Sequence, residues 1–75
     1  QQFALLPWRT VEENIGFGLE LAGVAARERK SRIARQIELV GLTGWEGRLA
    51  HELSGGMQQR VGLARAFATD APILL

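Results

Sequence analysis

Apolar residues recur at helical spacing in three separate stretches of this chain, and that period restricts the fold more than any other feature. Val11, Ile15, Gly18, Leu19 and Ala22 share one face, with Phe17, Leu21 and Val24 extending it sideways and Glu12, Glu13 and Glu20 on the wet side. Ile33, Ile37 and Val40 make a second stripe; Met57, Val61, Ala64 and Ala68 make a third, widened by Leu63 and Phe67. Punctuation agrees with the period. Thr10-Val11-Glu12-Glu13 is a T-x-x-E capping box, in which the Thr hydroxyl accepts from the amide three residues on and Glu13 reaches back to the Thr amide. Gly23 stops the first helix, Gly41-Leu42-Thr43-Gly44 closes the second, and Asp70-Ala71-Pro72 ends the third. These signals predict helices near 10–22, 27–41 and 55–69, with a short connector helix between 45 and 51. Pro7 biases Leu6 away from helical torsions, so residues 1–9 read as a loop with an extended stretch, and residues 71–75 read as the start of a strand. The expected fold of the chain is mainly α.

Size and composition narrow the function classes. Seventy-five residues fall short of the roughly 100 to 150 that usually build a single core, so the chain reads as one small domain or a piece of one. It begins Gln1-Gln2-Phe3 without methionine and ends on the apolar run Pro72-Ile73-Leu74-Leu75, both expected of a piece cut from a longer protein. There is no cysteine, and His51 is the only histidine, which excludes a disulfide framework and a metal centre built from protein thiolates or a histidine cluster. A net charge of +1 recommends neither nucleic acid nor anionic lipid as a partner of the whole chain. No apolar run approaches the roughly 20 residues that span a bilayer, so the chain reads as soluble and cytosolic. Phe3, Leu5, Leu6 and Trp8 are too apolar for a wholly solvated loop and are expected to face a core or a partner protein.

The one charge run is Arg27, Arg29, Lys30, Arg32 and Arg35, opposed by Glu28 and Glu38. It reads as a solvated helix face, the commoner meaning of such a run, or as a nucleic-acid or lipid-headgroup site; no aromatic residue interleaves with these cations to stack a base.

Leu53-Ser54-Gly55-Gly56-Met57-Gln58-Gln59-Arg60 opens the third helix. Each glycine in a helix is unfavourable by about 1 kcal/mol relative to alanine, so a pair in the first turn asks for a reason. One reason is close approach: without Cβ atoms a ligand reaches the backbone, and the first-turn amides are unpaired donors at the positive end of the helix dipole. Ser54 adds a hydroxyl to such an anion seat, or serves simply as the N-cap. A complete nucleotide site would also need a phosphate-binding lysine and an acidic residue for magnesium. No G-x-x-x-x-G-K-[ST] motif occurs in the chain.

Leu53 to Ala66 resembles the signature motif and following helix of ATP-binding cassette (ABC) transporter ATPases. Gln1 to Pro7 followed by Thr10-Val11-Glu12-Glu13-Asn14 resembles the family's Q-loop and the opening of its helical subdomain. Asp70 to Leu75 resembles the approach to the Walker B strand. The resemblance therefore covers the whole chain and divides it into a Q-loop (1–9), helical subdomain (10–52), signature motif and helix (53–70) and the start of Walker B (71–75). It implies a parent fold of the α/β P-loop NTPase type, of which this chain holds the mainly helical part.

The same resemblance implies site residues. Gln1 matches the Q-loop glutamine, which in the family contacts magnesium and the attacking water and senses the γ-phosphate; it is the candidate catalytic and metal-contacting residue. Ser54, Gly55 and Gly56 match the signature residues that touch the γ-phosphate of an ATP held by the opposite subunit, which would explain the missing lysine. Met57 stands where the commoner residue is glutamine, so the backbone contact is expected there without a side-chain polar one. Arg48 and Glu52 are candidates to approach the partner's nucleotide or to stay on the surface. Implied cofactors are ATP and Mg2+; implied partners are a second ATPase subunit in a homodimer, a membrane-spanning permease and, through it, a solute-binding protein, with no nucleic acid. The permease's coupling helix would enter a groove lined by Phe3, Leu5, Trp8 and the Phe17 side of the first helix. The protein would then lie on the cytoplasmic face of the bacterial inner membrane.

Leu5-Leu6-Pro7-Trp8, Gly18 to Val24 and the L-S-G-G-M form resemble importers of the nitrate, sulfonate and taurine group, with glycine betaine/proline importers as the alternative. Lacking Walker A and the Walker B acids, the chain alone is expected to hydrolyse no ATP. A non-transport cassette ATPase would be expected to insert a long coiled coil between Q-loop and signature. Only 52 residues separate Gln1 from Ser54, and they hold no sustained heptad. A free-standing helical module binding through the Arg27 to Arg35 face is the rival from another class.

Overall fold

The computed structural model describes residues 5–69, in which three helices pack pairwise around one apolar centre. Helix α1 spans Val11–Leu21, α2 Ala26–Leu39 and α3 Gly55–Ala68, with a 3-10 turn at Ala50–Glu52. No strand occurs among the described residues. The mainly helical fold read from the sequence is what the chain adopts, and the predicted strand start at 71–75 lies outside the described residues.

Local chemistry sets the helix ends. Thr10 caps α1 in extended geometry: Glu13 N–H donates to its Oγ1 at 3.1 Å, and Thr10 N–H donates to Glu13 Oε1 at 3.0 Å, closing the predicted capping box. Helices α1 and α2 stop by the same device. Gly23 and Gly41 take φ of 78° and 75°, a left-handed turn that a side chain would resist. The following residues then bond back, Val24 N–H to the Leu19 carbonyl at 3.0 Å and Leu42 N–H to the Ile37 carbonyl at 2.9 Å. Each closure folds an apolar residue, Val24 or Leu42, onto the helix it ends.

The centre consists of Val11, Ile15 and Leu19 from α1, Ile37 from α2, Val61, Ala64 and Ala68 from α3, and Leu42 and Leu53 from the connections, all buried. Leu5, Val24, Ile33, Val40 and Met57 pack around it. Close helix contact depends on missing side chains: a Cβ on Gly18 would sit 2.7 Å from Thr69 Cγ2, and one on Gly16 2.7 Å from Ile33 Cδ1.

The structure departs from expectation in several places. Within the expected loop, Leu6 to Arg9 is a tight turn closed by Arg9 N–H on the Leu6 carbonyl at 3.0 Å, and residues 1–4 of the segment expected to be partly extended lie outside the described residues. The connector is a series of turns over 45–48 followed by the 3-10 turn, because Gly44 and Gly47 interrupt any helical ladder. Ala22 and Leu21 are exposed, as are Leu63 and Phe67, so the stripes of α1 and α3 are narrower than the periodicity suggested. Asn14, in contrast, is fully buried amid the α1 stripe.

Candidate functional site

The first turn of α3 carries the candidate phosphate contacts. Ser54 is its N-cap, extended at φ −65° and ψ 165°, and its Oγ accepts from Met57 N–H at 3.2 Å. The first two helical amides, those of Gly55 and Gly56, therefore precede any carbonyl that could serve them within the helix. Ser54, Gly55 and Gly56 are all exposed. Helix α3 also has no acidic residue in its first turn, whereas α1 has Glu12 and Glu13 and α2 has Glu28. Its positive end is left for an anion from outside the helix.

The glycines have no internal explanation. Neither has a positive φ, and among the described residues a Cβ added to either would meet nothing within 4 Å. Alanine could be accommodated at both positions without strain among the described residues and would favour the helix, so neither torsion nor that packing requires glycine here. Met57, next in the chain, is half-buried and packs its side chain on the core, leaving only its backbone at the helix end.

Gln58 fastens this turn from behind. Its Nε2 donates to the carbonyls of Ala50 at 3.1 Å and Leu53 at 3.3 Å, and its own N–H donates to the Ser54 carbonyl at 2.9 Å. The segment before the motif is in turn bonded to the loop that precedes α1: Ala50 N–H donates to the Arg9 carbonyl at 2.9 Å, and Thr10 and Leu49 form an antiparallel bridge. Arg48 stacks its guanidinium over the Trp45 ring at 5.2 Å, and Glu52 Oε1 accepts Leu49 N–H at 3.0 Å, so both are engaged in local structure. Gln1 and Phe3 lie outside the described residues.

The basic run of α2 has structural work. Arg29 donates to the Val24 carbonyl at 3.0 Å; Arg32 pairs with Glu28 at 3.0 Å and donates to the Ala68 carbonyl at 3.1 Å, joining α2 to the end of α3. Before α1, Trp8 is 69% exposed and Leu5 packs on the core, with Arg9 held over the Phe17 ring at 5.7 Å. Among the described residues, no helix is long and apolar enough to cross a membrane.

The sequence singles out Ser54, Gly55 and Gly56 as candidates, whereas Gln58 and Asn14 have partners in other segments that no local pattern records. The available signal was Asn14 itself, a polar residue of weak helix propensity placed between Val11 and Ile15 on the buried face.

The family model described as "ABC transporter" matches residues 1–75. A taurine import ATP-binding protein from Pseudomonas syringae pv. tomato is 56% identical over 75 residues, covering 100% of this chain and 29% of that protein. A glycine betaine transport ATP-binding protein from Bacillus subtilis is 55% identical over 75 residues, 100% of this chain and 18% of that protein. A methionine import ATP-binding protein from Geobacillus kaustophilus is also 55% identical over 75 residues, 100% of this chain and 22% of that protein. The chain thus spans less than a third of the length of the curated relatives it matches.

Proposed function

This chain belongs to the ABC transporter family, and from that premise we propose that it works within the ATP-binding subunit of a bacterial importer, where Ser54, Gly55 and Gly56 face the γ-phosphate of an ATP held by a second copy. The observation that carries the reading is the pair of exposed glycines that neither backbone torsion nor internal packing requires. Their amides and the Ser54 hydroxyl offer neutral donors at a helix N-terminus, the chemistry a terminal phosphate accepts. Bound ATP supplies the transferable phosphoryl group, with Mg2+ offsetting its charge. This chain's share is to aim donors at that group, so catalysis by these residues is positioning and charge stabilisation. Gln1 is proposed to register the phosphate and contact the metal, and the division into Q-loop (1–9), helical subdomain (10–52), signature (53–70) and Walker B start (71–75) follows the same reading.

The relatives' names support import as the direction of transport. Taurine, glycine betaine and methionine proteins match at nearly equal identity, as expected if the solute is chosen by a permease and binding protein and not by this segment. Within that reading we assign the nitrate, sulfonate and taurine type, with the glycine betaine/proline type as the alternative. The exposed Trp8 and the Leu5 and Phe17 side of α1 are the proposed seat of the permease's coupling helix, which places the subunit peripherally on the cytoplasmic face of the membrane.

The test is Gly56→Asp in the full-length subunit assembled with its permease. A carboxylate at this position would repel a terminal phosphate, and ATP turnover should fall about 100-fold or more. Turnover within about twofold of the unmodified protein, with the fold intact, would overturn the reading.

A further inference from the structure

A short hydrogen-bonded seam joins the loop before α1 to the segment leading into Ser54, and an amide side chain stands at each side of it. The seam consists of Val11 N–H to the Arg48 carbonyl at 2.9 Å, Ala50 N–H to the Arg9 carbonyl at 2.9 Å and His51 N–H to the Pro7 carbonyl at 3.2 Å. On one side, Asn14 is fully buried. Its Oδ1 accepts Leu6 N–H at 2.8 Å, while Nδ2 reaches the carbonyls of Leu6 at 3.1 Å, Arg9 at 3.3 Å and Thr10 at 3.0 Å. On the other side, Gln58 Nε2 donates to the carbonyls of Ala50 and Leu53. The Arg9 carbonyl is thus shared between Asn14 and Ala50, and the Ala50 carbonyl is taken by Gln58. One continuous line of bonds runs from the interior of α1 to the turn that presents Ser54, Gly55 and Gly56.

Such a line is costly unless it is complete. A buried side-chain amide with missing partners is penalised, whereas a fully satisfied network in a low-dielectric interior is rigid and its bonds support one another. Gln58 could have pointed to water, as Gln59 next to it is free to do from its exposed position; it folds back on two carbonyls instead, and gives up rotamer freedom in doing so. Its two acceptors are the carbonyl of the residue that opens the 3-10 turn and that of the residue just after it, so the bond pair fixes the angle at which the chain enters α3.

We propose that Asn14 and Gln58 are positioning residues: acting through this seam, they hold the Leu53–Ser54 turn against α1 and so set the direction of the Gly55 and Gly56 amides. The proposal rests on the phosphate-facing reading of those amides. Neither residue touches the nucleotide. Their loss leaves the donors present but misaligned, which lowers turnover more than it lowers affinity for ATP.

The test measures kcat and KM for ATP in the full-length subunit assembled with its permease. Gln58→Glu replaces the donor with an ionised acceptor facing two carbonyls, whereas Gln58→Lys retains a donor able to reach them. The expected result is a fall in kcat of about threefold to tenfold for Gln58→Glu, the worth of one or two neutral hydrogen bonds, with KM within about twofold and kcat largely restored in Gln58→Lys. Asn14→Asp keeps the acceptor for Leu6 N–H and removes the donor, and should lower kcat similarly. Because both act on one seam, the double variant Asn14→Asp/Gln58→Glu should lose less than the product of the two single losses. Strict multiplication of the single effects, or equal kcat in the folded Gln58→Glu and Gln58→Lys variants, would overturn the proposal. If Asn14→Asp does not fold, the Gln58 pair decides alone. Gly56→Asp in the same assembly separates the layers: unimpaired turnover there sinks the phosphate-facing reading, whereas loss there with unimpaired Gln58→Glu sinks only the positioning role.

Discussion

Gly55 and Gly56 separate what the fold wants from what the proposed site wants. With open space around both Cα atoms and ordinary helical torsions, alanine at either position should raise stability by up to about 1 kcal/mol, read as an increase in Tm of the full-length subunit. The same substitutions should lower ATP turnover, because a methyl group would then stand where the phosphate is proposed to approach. A variant that gains stability without losing turnover would remove the reason given for the glycines. Asn14 runs the other way. Asn14→Leu leaves the Leu6 amide without its side-chain acceptor in a buried setting, and should cost about 1–3 kcal/mol in denaturant unfolding. Ser54 could be read as an N-cap from sequence because its partner lies three residues away. Asn14 and Gln58 could not, since their acceptors sit up to eight residues away in segments whose placement only the tertiary fold decides.

The helices themselves were legible where signals are local. The capping box at Thr10 and the stops at Gly23 and Gly41 act within one turn of chain, and each element ends within about two residues of its predicted bound. Width of the buried faces was less legible. Leu63 and Phe67 fit the period of α3 but stay exposed, because α1 and α2 contact only one side of that helix among the described residues. The tight turn at Pro7 and the bounds of the connector were not legible for a related reason: their backbone bonds pair with each other across the fold, and no periodic pattern records such pairing. Packing between elements is tight where glycine permits it. Gly18→Val would drive side-chain atoms into Thr69 at the end of α3, and should destabilise the subunit by about 1–3 kcal/mol, measurable as a shift in the denaturation midpoint at unchanged slope.

At the scale of the molecule, the two faces of the helical unit are used differently. The α2 face spends Arg29 and Arg32 on carbonyls and a carboxylate of its own fold, which favours the solvated-surface reading of the basic run over a nucleic-acid surface. The α3 terminus presents the Gly55 and Gly56 amides ahead of any carbonyl of its own helix that could receive them. Since the chain holds no G-x-x-x-x-G-K-[ST] sequence, the isolated 75-residue polypeptide should show no ATP turnover above a buffer blank in a phosphate-release assay. The bridge between Thr10 and Leu49 has one more consequence. Paired residues of neighbouring strands lie only about 5 Å apart, so everything from Val11 to Arg48 leaves and returns through a single narrow neck. Such a module can be lengthened, shortened or exchanged at its far end, near Gly23, while the chain on both sides of the neck keeps its place. Evolution could thereby refit this helical pair and leave the loop before it and the α3 terminus after it untouched.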